Sequence, residues 1–305
     1  MLERERELID ALGLGSDGGG GWSGPTGGPI TTDKRDKPVM EFRTRLARVD
    51  DDPPWRRGSH DVVLLHHEGA RLEVVDDTGG RTFADPTAPQ LVVPASRRHV
   101  VRPVGGYALW SEAVVPGGGA WSYDEGATPA RVDGESAPVR EEDRLVELLD
   151  LESHVEGGYY RQIYTSPDTV GTPGGTRVRA NSIYYLLDRQ SPIGRLHSNV
   201  SDITHFLHSG GPVRYQVVSP EGELRDVLLG YDVAAGQRPV FTCPGGWWKT
   251  SSLPEGVSHG LISEIVAPGF DFADQRLIGV DELRSRHPRH VERLASHTAQ
   301  HQEDR

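Results

Sequence analysis

The chain has 305 residues, enough for two domains, with 37 glycines, 22 prolines and a formal charge of −12. That acidity argues against non-specific nucleic-acid binding, which needs a basic surface, and no apolar run reaches membrane-spanning length. A single cysteine, Cys243, rules out an internal disulfide and fits a reducing, cytoplasmic setting.

The first predicted element is a short helix in "MLERERELIDALGLG", which reads as acidic and amphipathic rather than as a signal peptide. Short strands with period-two patterns follow, such as "RLEVVDD", separated by turns such as "DDTGG". A polar stretch at residues 126–143, "GATPARVDGESAPVREED", has no hydrophobic period and reads as a linker. A second short helix and a second run of strands come next, including "SIYYLLD". The chain closes on "GVDELRSRHPRHVERLASH", a helix expected to be capped at Asp281 and broken near Pro288, before a His-rich tail.

The two runs are copies of one another. Residues 8–24, "LIDALGLGSDGGGGWSG", align without a gap on residues 145–161, "LVELLDLESHVEGGYYR". Three further blocks follow in the same order. Residues 61–75 lie over 202–216, "VPASRRH" (93–99) over "CPGGWWK" (243–249), and "LWSEAVVPG" (109–117) over "LISEIVAPG" (261–269). Four blocks in register indicate a tandem duplication. The expected domains are 1–138 and 139–305, each an all-β barrel or sandwich of many short strands with short flanking helices.

The motifs "ESHVEGGYYRQIY", "HSNVSDITHFLHSGG", "PGGWW" and "ISEIVAPGFDFAD" resemble a group of small, largely uncharacterised cupins, over most of the second half. The resemblance implies two tandem cupin barrels, that is, double-stranded β-helices or jelly rolls. It also implies an intramolecular pseudo-dimer in one chain, with pairing of two chains as a homodimer left open. Fold alone does not give function, because cupins host many chemistries.

A metal cupin holds its ion with H-x-H, a following Glu, and a His after a Pro-Gly turn. Counting from the strand-ending Gly210, the first three slots fall on His197, Asn199 and Ile203. The one after the Pro-Gly turn falls on Lys249, or on Trp248 with Lys249 facing out if the turn shifts the register by one residue. Counting from Gly69, they fall on Arg56, Gly58, Val62 and His99. Each half keeps one ligand, so no metal of the family type is expected. The alternative is a Fe, Zn or Ni site of non-standard make-up from His197, His205 and Glu264.

Strand alternation points His205 into the barrel beside His197 and Asn199, and turns His208 away. The corresponding first-half residues are Leu64, Arg56 and Gly58, so the polar set belongs to the second half. The first half is expected to be structural or to hold a different and poorer pocket. The candidate catalytic residues are His197, His205, Lys249 and Glu264. Candidate ligand-binding residues are Asn199, Arg161, Tyr159, Tyr160, Trp247 and Trp248. Each has a bland counterpart: a satisfied barrel histidine, a salt-bridged arginine, a packed aromatic, and for Glu264 a structural carboxylate shared with Glu112. Cys243 reads as a small buried hydrophobe rather than a nucleophile.

The expected function is acid/base chemistry without a metal on a small polar metabolite, of isomerase, epimerase, cyclase or lyase type. The cupin sugar-nucleotide epimerases are the nearest analogy. A metal-dependent oxygenase or lyase, and a metabolite-binding protein without catalysis, are the alternatives.

Overall fold

The computed structural model describes residues 3–17, 21–25, 39–115, 121–124 and 142–299. Almost all of the predicted linker and the end of the His-rich tail lie outside the described residues. Among the described residues, no helix is long and apolar enough to cross a membrane.

The chain forms two tandem barrels, each made of a six-stranded and a five-stranded antiparallel sheet. In the first barrel the six-stranded sheet runs Gly15–Ser16, Trp22–Pro25, Glu41–Arg48, Tyr107–Val115, Asp61–Gly69, Gln90–Val93. In the second it runs Glu152–Ser153, Tyr159–Thr165, Asn181–Asp188, His259–Ala267, Asp202–Gly210, Val240–Cys243. The order is the same strand for strand, as the repeat requires. The five-stranded sheets match in the same way. Short helices, Glu3–Leu12 and Glu142–Leu148, open the two halves, and each buries the matching leucine, Leu8 or Leu145.

Alternation decides which side chains enter a barrel and which join the two barrels. On Asp61–Gly69, Val62 and Leu64 fill the first barrel, while Val63 and Leu65 face the second. Phe206 and Ile265 meet them from the other side in one shared apolar cluster. Next to this cluster the two halves exchange equivalent hydrogen bonds. His67 Nδ1 donates to the Leu207 carbonyl (3.0 Å), and His208 Nδ1 to the His66 carbonyl (2.5 Å). Their Nε2 atoms pair with Ser111 (2.8 Å) and Ser263 (2.7 Å). The two rings stack 6.2 Å apart. The turned-away His208 and the strand residue His67 are thus buried groups of the inter-barrel seam, satisfied as buried polar groups must be.

The strand-ending glycines that set the sequence register, Gly69 and Gly210, both have positive φ (92° and 69°). A Cβ at Gly210 would clash with the His259 carbonyl. Gly210→Ala is therefore expected to cost at least ~2 kcal/mol, combining left-handed strain with the displaced strand pairing. Urea denaturation of the variant checks it, and a loss within experimental error would contradict the assigned register.

The C-terminal segment departs from expectation in one detail. The helix Val280–Arg286 begins at Gly279 with no side-chain cap, so Asp281 lies inside its first turn rather than at its cap. The break at Pro288 is present, as a 3-10 turn over Pro288–His290.

Candidate functional site

The second barrel encloses a cavity of about 110 Å³. Its polar lining includes Glu156, His197, Asn199, Glu264 and Gln275, with His154 and Tyr160 also in the wall. Glu264 comes from the central strand His259–Ala267 and is paired across to His205. His197 lies on Ile193–Asn199, directly opposite Lys249 on Trp248–Ser252. Glu156 comes from the loop before the Gly157–Gly158 pair, and both of these glycines have positive φ. A side chain at Gly157 would strike the Ile193 carbonyl, so this loop can lie against the strand that carries His197 only because glycine is there.

Lys249 points inward, and Trp248, its neighbour in sequence, points out. The Lys249 Nζ donates to His205 Nε2 (2.8 Å) and to Glu264 Oε1 (3.3 Å). His205 Nε2 also lies 3.3 Å from Glu264 Oε1, and His205 Nδ1 donates to the Phe241 carbonyl (3.2 Å). Lys249 and His205 are buried behind Glu264 and do not themselves line the cavity. His197 Nδ1 donates to the Arg195 carbonyl (2.7 Å), which leaves Nε2 as the basic nitrogen of the neutral ring. Glu156 Oε2 lies 3.3 Å from His197 Nδ1, and Glu156 Oε1 accepts from the Gln275 amide.

Burial and charge push these groups apart. Burial raises the Glu156 carboxyl to about 8, and the nearby Glu264 charge adds to this against the opposing pull of Lys249. Burial also works against ionisation of Glu264, but the Lys249 charge and His205 outweigh it and hold this carboxyl well below the usual range. His197 is lowered to about 3 by burial and then by Lys249, and His205 is lowered by the same two causes. Near neutral pH the site therefore holds a carboxylic acid, a carboxylate paired with lysine, and two neutral imidazoles.

Besides Lys249 and His205, four sequence candidates do not line the cavity. On Tyr159–Thr165 the alternate residues Tyr160 and Gln162 face it, so Tyr159 and Arg161 face out. Tyr159 packs with Leu145 and Leu149, and Arg161 donates to the Leu149 carbonyl (2.9 Å). Trp248 packs outside the barrel with Leu196, Leu283 and Leu294. Trp247 sits under the Arg225 guanidinium, 5.2 Å from the ring centre. Asn199, Tyr160, His197 and Glu264 do line the cavity. Glu156 was visible in the H-x-E-G-G-Y motif but was not assigned to the site. Gln275 carried no sequence signal.

The residues offered for a non-standard metal do not fit one. His205 Nε2 and Glu264 Oε1, which would both have to face the ion, instead face the Lys249 Nζ. Among the described residues, no group of three His, Cys, Asp or Glu side chains is placed to hold a metal.

In the first barrel the same place is filled by an ion pair. Arg56 binds Glu112 through both terminal nitrogens (3.0 and 2.7 Å) and donates to His99 Nε2 (3.1 Å). Arg45 also approaches Glu112, at 2.9 Å. Burial opposes ionisation of Glu112, but Arg45 and Arg56 prevail and hold it low. Glu112 and Glu264 thus share one feature, a buried carboxylate matched to a basic side chain of the opposing sheet.

Comparison with known proteins agrees with this fold. The family described as "Cupin superfamily (DUF985)" matches residues 143–278. The uncharacterized protein YML079W of Saccharomyces cerevisiae is 38% identical over 156 residues, covering 46% of this chain and 77% of that protein. A hypothetical protein from Leishmania major is 29% identical over 53% of this chain and all of its own, with a TM-score of 0.50. A variant of the salicylate 1,2-dioxygenase from Pseudoaminobacter salicylatoxidans, in complex with gentisate, aligns over 87% of this chain and 80% of its own. Its TM-score is 0.54 and its identity 14%, a likeness of fold alone. The repeated strand order, the motifs of the second half and these relatives together place the chain in the cupin superfamily, as a bicupin whose second barrel carries the DUF985 sequence.

Proposed function

We propose that the second barrel performs proton-transfer chemistry on a small polar metabolite: an isomerisation, epimerisation, cyclisation or elimination. The observation that supports it is the convergence of Glu156, His197 and Glu264 on one cavity, with Lys249 and His205 behind Glu264. Two carboxyl groups with opposite environments are suited to opposite roles. Glu156, protonated near neutral pH, donates a proton to a developing oxyanion. His197 Nε2 accepts one from carbon or oxygen, the imidazolium it becomes being balanced by the Glu264 carboxylate. Glu264 orients the substrate and balances charge. His205 and Lys249 act through Glu264 as positioning residues. The first barrel serves as a structural partner. Its equivalent position is taken by the Arg56–Glu112 ion pair, beside a pocket of about 430 Å³ without the carboxylic acid and histidine of the second barrel. The chain is a pseudo-dimer in which one half keeps the site. The acidic surface and the one buried, free cysteine support a small-molecule role in a reducing compartment such as the cytoplasm.

The test is hydrogen exchange in D2O with a panel of hydroxyaldehydes and hydroxyketones, followed by proton NMR. The expected result is enzyme-dependent loss of a carbon-bound proton without added metal, slowed by roughly 100-fold or more in Glu156→Gln. Exchange that appears only with added metal, or is unchanged in both Glu156→Gln and Glu264→Gln, would overturn the reading.

A further inference from the structure

The cavity is layered along the barrel axis, and the layers follow from strand register. On Asp202–Gly210 and His259–Ala267, three inward pairs succeed one another: Leu207 with Ile262, His205 with Glu264, and Ile203 with Val266. The first pair belongs to a closed apolar floor with Tyr215 and Leu229. The second is the polar belt. The third begins an apolar wall that continues to Phe270 and Phe272 at the mouth. These two rings meet edge to face, 5.0 Å between centres, and Phe272 is 65% exposed.

The belt offers no uncompensated charge. Glu264 is matched by Lys249, and among the described residues no arginine or lysine lines the cavity. Among the described residues one fully buried polar atom of the cavity lining is unmatched: Asn199 Oδ1 has no hydrogen-bond partner, in a residue only 8% exposed. A buried acceptor left empty costs about 1–3 kcal/mol, so it favours a ligand that supplies an N–H or O–H.

We propose that the ligand is a small uncharged molecule with two unlike ends. Its polar end donates a hydrogen bond to Asn199 and meets Glu156, and its aromatic or branched apolar end rests against Phe270 and Phe272. This rests on the same cavity as the proposed proton transfer and narrows its substrate class. An anion would sit beside the Glu264 carboxylate with no free cation to receive it. A wholly polar molecule would leave the apolar wall wet, and a wholly apolar one would leave Asn199 unpaired.

Calorimetric titration of the full chain with benzamide, benzoate and acetamide tests it. Benzamide is expected to bind, and benzoate and acetamide at least about tenfold more weakly. Asn199→Ala and Phe272→Ala are each expected to weaken benzamide about five- to tenfold. Phe272 is exposed, so its variant keeps the fold. Absence of benzamide binding, or benzoate or acetamide binding as tightly as benzamide, would overturn the inference. A variant that binds benzamide like the parent overturns the end of the ligand it tests. Benzamide selectivity without hydrogen exchange in D2O would remove the chemistry and leave this inference standing. Exchange on a substrate without that selectivity would do the reverse.

Discussion

Glu156→Gln is expected to abolish proton transfer and, at the same time, to stabilise the protein above neutral pH. Glutamine keeps the shape of a protonated glutamic acid and can still accept from Gln275, but it has no proton to give. In the folded chain the Glu156 carboxyl is raised from 4.5 to about 8. Between those two values the folded state holds a proton that the unfolded state has lost. Stability therefore falls as pH rises through that window, and the loss is complete only above the folded value. The variant lacks this penalty. It is expected to match the parent near pH 4 and to exceed it at pH 8 by on the order of 4 kcal/mol. Urea denaturation across this range reads the difference directly. A variant with the same pH profile as the parent would mean that Glu156 is already ionised in the folded protein.

Lys249→Met is expected to be the most damaging single change in the second barrel. Lys249 is 3% exposed, and its Nζ is shared between His205 and Glu264. Removing one partner of a buried pair leaves the other charge without compensation, at a cost of about 3–5 kcal/mol. The double variant Lys249→Met, Glu264→Leu removes both charges and is expected to recover most of that stability while remaining inactive. If the single variant loses less than about 1 kcal/mol, the pair behaves like an exposed surface bridge and does not organise the site. The first barrel offers a parallel case, since Arg56 and Glu112 hold the matching positions.

The fold was legible because duplication writes it twice. The blocks that align across residues 8–117 and 145–269 are the strands that occupy identical places in the two sheets. The inward turn of His205 follows from period-two alternation counted from Gly210. For Lys249 the preceding turn leaves the register open by one residue, and Trp248 suits the slot equally well from sequence. Alternation also excludes Tyr159 and Arg161 once Tyr160 is known to face the cavity, but the sequence does not say which tyrosine enters. For the tryptophans the difficulty is one of size. A large ring next to a turn packs well on either side of a sheet, and Trp248 finds its cover in the C-terminal helices. Glu156, in a loop, meets Gln275, at the start of the strand Gln275–Leu277 and far away in sequence, so no local period could have joined them. The same holds for His67 and His208, whose pairing exists only because the barrels pack face to face.

The claim at the centre of this account is that one cavity holds an un-ionised Glu156 near an ionised Glu264. A pH titration of the glutamate carboxyl carbons by carbon-13 NMR tests it most directly. The expected result is one buried glutamate that is still protonated at pH 7, titrates near 8, and is missing from the spectrum of Glu156→Gln. If every glutamate carboxyl is ionised at pH 7, the acid that the proposed chemistry requires is not there.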